Sequence, residues 1–476
     1  MSRFPNHFIP QKLKFDVIDS YIIKSIKVSL LQFNVPLCYY NQSTNHKKIK
    51  IVAKLVTNYQ KDKHTICFNF QEDVDANKEK FMVFLQGGPG FPSVLPTSKN
   101  DPSFLEPLLK KYFAVLFLDQ RGTGLSTPID TKFLVNNFEN ASQQFEYIKN
   151  FRADSIIFDC ETIKNSLIPD QKWSVLGQSF GGFCSVTYLS FFPESLKQVL
   201  VTGGIPPLGM TADDVYKSTY KITREFNERY YKRYPLDVSR VNYIVSKIDQ
   251  SDIVLPNGGK LTSERFQHLG LTFGGNGGID KLHGLILKIY QDLKTTESIS
   301  YGTLATIQDY LGFETNILYF LFQEAIYCGG KGSFSDWSAF RNKPDDFKIT
   351  SSDSGQNKDS KFYFTGEMVY PSMINDYSEL TQLKELAELI HNYKDWSTLY
   401  DLDKIKKNTF DIVPIVAATY YEDQYVTFEN CEIVKRNYLK DSLRQYITNE
   451  YFHNGLRVGS EKVLNRLFEL LESDNV

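Results

Sequence analysis

Short apolar runs without polar alternation mark residues 81–85 (FMVFL), 114–118 (AVLFL) and 198–201 (QVLV). Such runs are expected of strands buried on both faces of a largely parallel sheet. Between the second and third runs the spacing changes. Ile156, Ile157, Cys160, Ile163 and Leu167 recur every three or four residues, which predicts a helix over 151–167. Residues 413–420 and 444–448 read as two late strands, and 22–33 and 48–57 as two early ones that open the sheet with an antiparallel edge. Strand alternating with helix predicts an α/β fold with right-handed crossovers. From 205 to about 407 the pattern is helical instead, at 212–231, 281–293, 314–327 and 380–393, with polar or glycine-rich breaks at 256–259, 274–278 and 351–360.

The turn after the strand that ends near residue 178 carries the clearest chemistry. Gly177-Gln178-Ser179-Phe180-Gly181 has the Gly-x-Ser-x-Gly form of a nucleophile elbow, in which a strained strand-to-helix turn exposes the serine hydroxyl above the sheet. A serine that merely caps the helix would read the same way, so the neighbouring loops matter. The run at 81–85 is followed by Gln86-Gly87-Gly88-Pro89-Gly90, whose backbone N–H groups can face a ligand with little side chain in the way. A hydrolase needs two such donors for its oxyanion, and Phe180 and Gly88 are the candidates, although an ordinary tight turn would suit these glycines equally. The run at 114–118 is followed by Asp119-Gln120-Arg121-Gly122-Thr123-Gly124-Leu125-Ser126, where Asp119 and Arg121 can pair to hold the loop.

A serine nucleophile needs a base, and four of the seven histidines follow it: His268, His283, His391 and His453. His453 comes just after the last predicted strand and before Asn454-Gly455, a turn signal that places it on a loop at the strand's end. The acid should follow the strand at 413–420, where Glu422 and Asp423 are both chemically suitable.

Gly-Gly-Pro-Gly, Asp-Gln-Arg-Gly-x-Gly-x-Ser and Gly-x-Ser-x-Gly-Gly, in this order after successive strands, resemble the proline iminopeptidase (prolyl aminopeptidase) family of α/β-hydrolases. The resemblance continues at 363–371, 420–426 and 450–457, and so spans the chain from about residue 50 to its end. Many members have histidine where this chain has Gln86. The resemblance implies an α/β-hydrolase fold, a mostly parallel sheet flanked by helices, with a large, mainly helical cap inserted after the strand that follows the elbow. Residues 1–205 and 408–476 would form the core and 206–407 the cap. It implies a catalytic triad of Ser179, Asp423 and His453, and an oxyanion hole from Gly88 and Phe180. Glu324 and Glu367 match cap positions where the family presents glutamates to the substrate's free α-ammonium. The implied activity is that of a serine aminopeptidase acting through an acyl-enzyme, releasing an N-terminal amino acid, preferentially proline, from small peptides with a free N-terminus. A carboxylester hydrolase of the same fold and a non-catalytic hydrolase-like binding protein are the alternatives.

Composition narrows the partners. With 54 basic and 56 acidic residues the formal charge is −2, and no long basic block points to nucleic acid or an anionic membrane. Residues 1–14 lack the apolar stretch of a secretory signal, and no 18-residue apolar span occurs. The six cysteines are scattered without CxxC spacing and read as reduced residues of a cytoplasmic protein. Neither a metal nor an organic cofactor is expected, because the histidines are dispersed and no phosphate-binding glycine loop ends in Lys-Ser/Thr.

Overall fold

The apolar runs become the centre of one sheet. In the computed structural model, which describes residues 8, 10, 12–40, 47–59, 80–349 and 360–473, that sheet has nine strands. These are β1 (Phe15–Ile23), β2 (Ile26–Pro36), β3 (Lys48–Asn58), β4 (Phe81–Leu85), β5 (Ala114–Leu118), β6 (Trp173–Gln178), β7 (Leu196–Thr202), β8 (Ile415–Tyr420) and β9 (Leu443–Thr448). Their order is β1-β2-β3-β5-β4-β6-β7-β8-β9. β1, β2 and β3 are antiparallel, β3 joins β5 antiparallel, and every pairing from β5 to β9 is parallel.

Parallel strands need cover on both faces, and alternate residues supply it. Phe81, Val83 and Leu85 pack on one side with the helices Ala153–Leu167 and Phe180–Phe191, while Met82 and Phe84 pack on the other with Leu105–Lys111 and Ser460–Glu472. All of β4, β5, β6 and β8 is buried, which is why β4 and β5 read as continuous apolar runs. The chain between β7 and β8 adds no strand to this sheet among the described residues. It carries helices, among them Ala212–Arg233, Asp237–Asp249 and Gly278–Thr296, with an apolar cluster of their own around Phe226, Tyr230, Phe266, Ile286 and Phe364.

Three expectations need correction. The run 22–33 is not one strand: it spans a hairpin whose turn falls at Lys24, with φ 54°, and Ser25. β1 was hidden because most of its residues face solvent at the sheet edge. The helix expected over 314–327 is two pieces, Ile317–Phe322 and the 3-10 turn Ala325–Tyr327, broken at Gln323-Glu324. Asp119 and Arg121 do not pair with each other. Buried Asp119 bonds Lys54 Nζ at 2.6 Å and Ser93, and Arg121 forms a two-point ion pair with Asp159 at 2.8 and 2.6 Å. His7, His46, His64, Cys67 and nearly all of the 351–360 break lie outside the described residues.

Candidate active site

Parallel strands bring their carboxyl ends to one edge, and the candidate residues come from three of those ends. β6 ends at the elbow, β8 runs out towards Asp423, and β9 leads into the loop bearing His453. Ser179 has φ 55° and ψ −126°, a conformation that costs a non-glycine residue energy and is retained where the surroundings impose it. They do so here. Ser179 N donates to Thr202 O of β7 at 3.0 Å, and a Cβ on Gly181 would lie 1.9 Å from Leu85 O, so helix and strand meet closely because no side chain intervenes.

Asp423, not Glu422, lies against the imidazole. His453 Nδ1 is 2.8 Å from Asp423 Oδ2 and 3.0 Å from Oδ1, and Oδ1 also accepts the N–H groups of Tyr425 and Val426 at 2.9 and 3.0 Å. Glu422 is engaged by Arg229 at 2.7 Å. Burial disfavours the imidazolium, but the Asp423 carboxylate, its hydrogen bond and the nearby Glu367 outweigh burial and raise the pKa of His453 above its ordinary 6.5. Consecutive glycines tie this pair to the elbow. A Cβ on Gly203 would meet Asp423 Oδ2 at 3.1 Å and His453 Nδ1 at 3.2 Å, and one on Gly204 would meet Ser179 O at 2.3 Å. Ser179 Oγ has no hydrogen bond to the ring among the described residues; contacts of this kind often tighten when substrate binds.

The loop after β4 closes over the serine. A Cβ on Gly87 would stand 3.5 Å from Ser179 Oγ and 2.9 Å from its Cβ, so the Gly87-Gly88 backbone runs directly beside the hydroxyl. Gln86 is braced from two sides, its carbonyl by Gln120 Nε2 at 2.9 Å and its side chain by Arg457 Nη2 at 3.0 Å. Arg457 comes from the His453 loop, so the side chain that departs from the family pattern links the glycine loop to the histidine loop. Next to Pro89 and Phe180 lies a small, largely apolar cleft lined by Phe151, Arg152, Ala153, Phe322, Ile326 and Leu399.

Both candidate glutamates come from the chain between β7 and β8, in different states. Glu324 is almost wholly buried and fully engaged: Oε1 accepts Ala339 N–H at 2.8 Å, and Oε2 accepts Ser338 N–H at 2.9 Å and the Nδ1 of His391 at 3.1 Å. Glu367 accepts the Tyr319 hydroxyl on Oε1 at 2.7 Å. Burial raises its pKa, against the opposing pull of His453 and Tyr319, which places this acid within electrostatic reach of the imidazole. The Tyr216 and Tyr327 hydroxyls feel both glutamates and are pushed well above the ordinary tyrosine range, by burial first.

Sequence reasoning did not find the clasp on His453. Its backbone N–H donates to Gly274 O at 3.0 Å, while Asn276 exchanges hydrogen bonds with the same loop, accepting from Phe452 N at 3.0 Å and donating to Asn454 Oδ1 at 2.9 Å. The glycine-rich stretch at 274–278 had looked like a break between helices. Among the described residues no group of three or more His, Cys, Asp or Glu side chains is arranged to hold a metal ion, and no helix is long and apolar enough to cross a membrane.

The family described as alpha/beta hydrolase fold matches residues 80–243, which contain the glycine loop, the elbow and the strands β4 to β7. A proline iminopeptidase of Aeromonas sobria is 41% identical over 452 residues, 94% of this chain and 98% of that protein. A proline iminopeptidase of Aspergillus aculeatus is 36% identical over 405 residues, 84% and 86% of the two chains. Among solved structures, the proline iminopeptidase of Mycobacterium smegmatis aligns over 92% of this chain and 97% of its own at 13% identity and a TM-score of 0.40. At 41% and 36% identity over most of both chains, similarity to the Aeromonas and Aspergillus proteins shows that the chain belongs to the proline iminopeptidase family.

Proposed function

We propose that this protein is a serine aminopeptidase that releases N-terminal proline from small peptides, with Ser179 as nucleophile, His453 as base, Asp423 as its orienting acid and 206–407 as the cap over them. The observation that carries the reading is a half-buried carboxylate, Glu367, within electrostatic reach of an imidazole already paired to Asp423. A peptidase confined to the first residue must bind an ammonium beside its nucleophile, and a partly desolvated carboxylate does this well. Glu367 offers the direct contact, and Glu324 adds negative charge from behind. Both relatives are proline iminopeptidases by name, which favours this activity over the ester hydrolase and the silent binding protein. The buried, unpaired thiols of Cys160, Cys184, Cys328 and Cys431 fit a cytoplasmic setting.

The reaction follows from this arrangement. His453 Nε2 takes the proton of Ser179 Oγ as the oxygen bonds to the carbonyl carbon of the first residue. The carbonyl oxygen becomes an oxyanion facing the N–H groups of Gly88 and Phe180. Collapse breaks the C–N bond, and the imidazolium gives its proton to the departing nitrogen. Water, deprotonated by the same ring, then attacks the acyl-serine, releasing the amino acid and restoring the hydroxyl. Asp423 keeps Nδ1 protonated throughout, so that Nε2 is the nitrogen that takes and returns the proton.

Two tests arise here. Glu367→Gln is expected to lower kcat/KM for a prolyl amide by about ten- to a hundredfold, the worth of one hydrogen bond to a charged group, and to spare an acetyl ester that has no amine. Glu324→Gln should act in the same direction. Equal losses on both substrates would remove the amine-binding role. The second test is the pH profile of the acetyl ester. The working form of His453 is neutral and its pKa is raised, so kcat/KM should fall on the acid side with a midpoint above 6.5. Glu367→Gln removes one of the negative neighbours that favour the imidazolium, so the midpoint should move to lower pH. A midpoint that stays in place or rises contradicts the electrostatic account.

A further inference from the structure

Around the amine pocket several buried polar atoms, Tyr216 Oη and Gln323 Oε1 among them, have no hydrogen-bond partner among the described residues. The oxygens of Glu324 are already occupied by Ser338 N–H, Ala339 N–H and His391, whose ring stacks on Trp337 at 3.6 Å. Glu367 has given Oε1 to Tyr319 and has Oε2 left for a ligand. An N-terminal proline carries a secondary ammonium with two N–H bonds, and one oxygen of Glu367 accounts for one of them in good geometry. A second acceptor is needed.

Gln323 meets the requirement. It follows Phe322, a wall of the apolar cleft, and lies one helical turn beyond Tyr319, its backbone N–H donating to Tyr319 O at 3.1 Å. Tyr319 and Gln323 therefore share a helix face, and Tyr319 on that face holds Glu367. The Gln323 side chain is fully buried, and its Oε1 finds no hydrogen-bond partner among the described residues. A buried carboxamide oxygen left unpaired is costly to the fold and calls for an explanation, of which a polar ligand is one. A hydrogen bond from the Gln323 amide favours the ionised Glu367 carboxylate, the last of several influences on that acid, and only Nε2 can donate it, which leaves Oε1 for a ligand.

We propose that Gln323 is a substrate-binding residue whose Oε1 accepts the second N–H of the N-terminal ammonium, beside Glu367 Oε2. The inference rests on the amine pocket put forward under Proposed function. It accounts for the helix break at Gln323-Glu324, which lets two consecutive side chains serve one pocket, Gln323 by contact and Glu324 by charge.

The test compares Gln323→Leu, Gln323→Met and Gln323→Glu in the full chain, with a prolyl fluorogenic amide and an acetyl ester as substrates and the melting temperature as a check on folding. Gln323→Leu and Gln323→Met should each lower kcat/KM for the prolyl amide by about tenfold or more, mainly through KM, and leave the ester unchanged. Gln323→Glu keeps an acceptor oxygen and should restore prolyl turnover. Prolyl kinetics unaltered in a folded apolar variant, equal loss on both substrates, or no rescue by glutamate would overturn the assignment. The Glu367→Gln result separates the two claims. If Glu367→Gln hits the prolyl amide and the Gln323 variants do not, this inference alone falls; if Glu367→Gln is also silent, the amine pocket falls with it.

Discussion

Replacing Ser179 with alanine is expected to lower kcat for a prolyl amide by about a millionfold, and His453→Ala is expected to do the same, with the double variant no worse than either alone. The non-additivity is the informative part. Ser179 supplies the attacking oxygen and His453 removes and returns its proton, so once one is gone the other has nothing to act on. The residue left over is what binding and the Gly88 and Phe180 amides provide by themselves. Steady-state rates of the three variants, with circular dichroism to confirm folding, check this. Multiplicative losses in the double variant would mean that the two groups act in separate steps.

Asp423→Asn is expected to cost about ten-thousandfold in kcat at neutral pH while leaving the fold intact. The amide is nearly isosteric, so packing survives. Its loss is electronic and tautomeric: an asparagine NH2 facing Nδ1 favours the proton on Nε2, the nitrogen that must accept from Ser179. Asparagine can keep its oxygen towards the Tyr425 and Val426 N–H groups, which already bond Oδ1 at 2.9 and 3.0 Å, and so hold the wrong donor against the ring. Glu422→Gln is the control. Its carboxylate is partnered by Arg229 and its substitution should leave kcat close to wild type. A comparable loss at Glu422 would contradict the geometry at His453.

The core strands were readable because burial on both faces leaves no polar position in a short run, as in FMVFL and AVLFL. The elbow and the glycine loop were readable because a positive-φ serine and a backbone pressed against its hydroxyl both demand glycine nearby, at Gly181 and Gly87. Choosing Asp423 over Glu422 was beyond residue chemistry, since both acids follow the same strand and the decision depends on which one the turn aims at the ring. What stayed hidden was set by partners remote in the chain. Asp119 and Arg121 look like a local pair, but each is matched more closely by a buried group from elsewhere, Lys54 and Asp159. The apolar spacing of 314–327 predicts one helix, and nothing local announces that Ser338 and Ala339 would draw the Glu324 carboxylate away from it. The Gly274-Asn276 clasp on the histidine loop is likewise a meeting of distant segments, and its polar, glycine-rich composition signals only a turn.

The central claim is that His453 makes Ser179 a nucleophile towards the carbonyl group beside a free N-terminal amine. A prolyl phosphonate diester that carries a free amine, followed by peptide mapping in a mass spectrometer, tests it most directly. The account predicts a single adduct on Ser179 that forms rapidly in the wild-type protein, forms far more slowly in His453→Ala, and is slowed again when the probe's amine is acetylated. An adduct on another residue, or labelling of Ser179 at the same rate without His453, would contradict it.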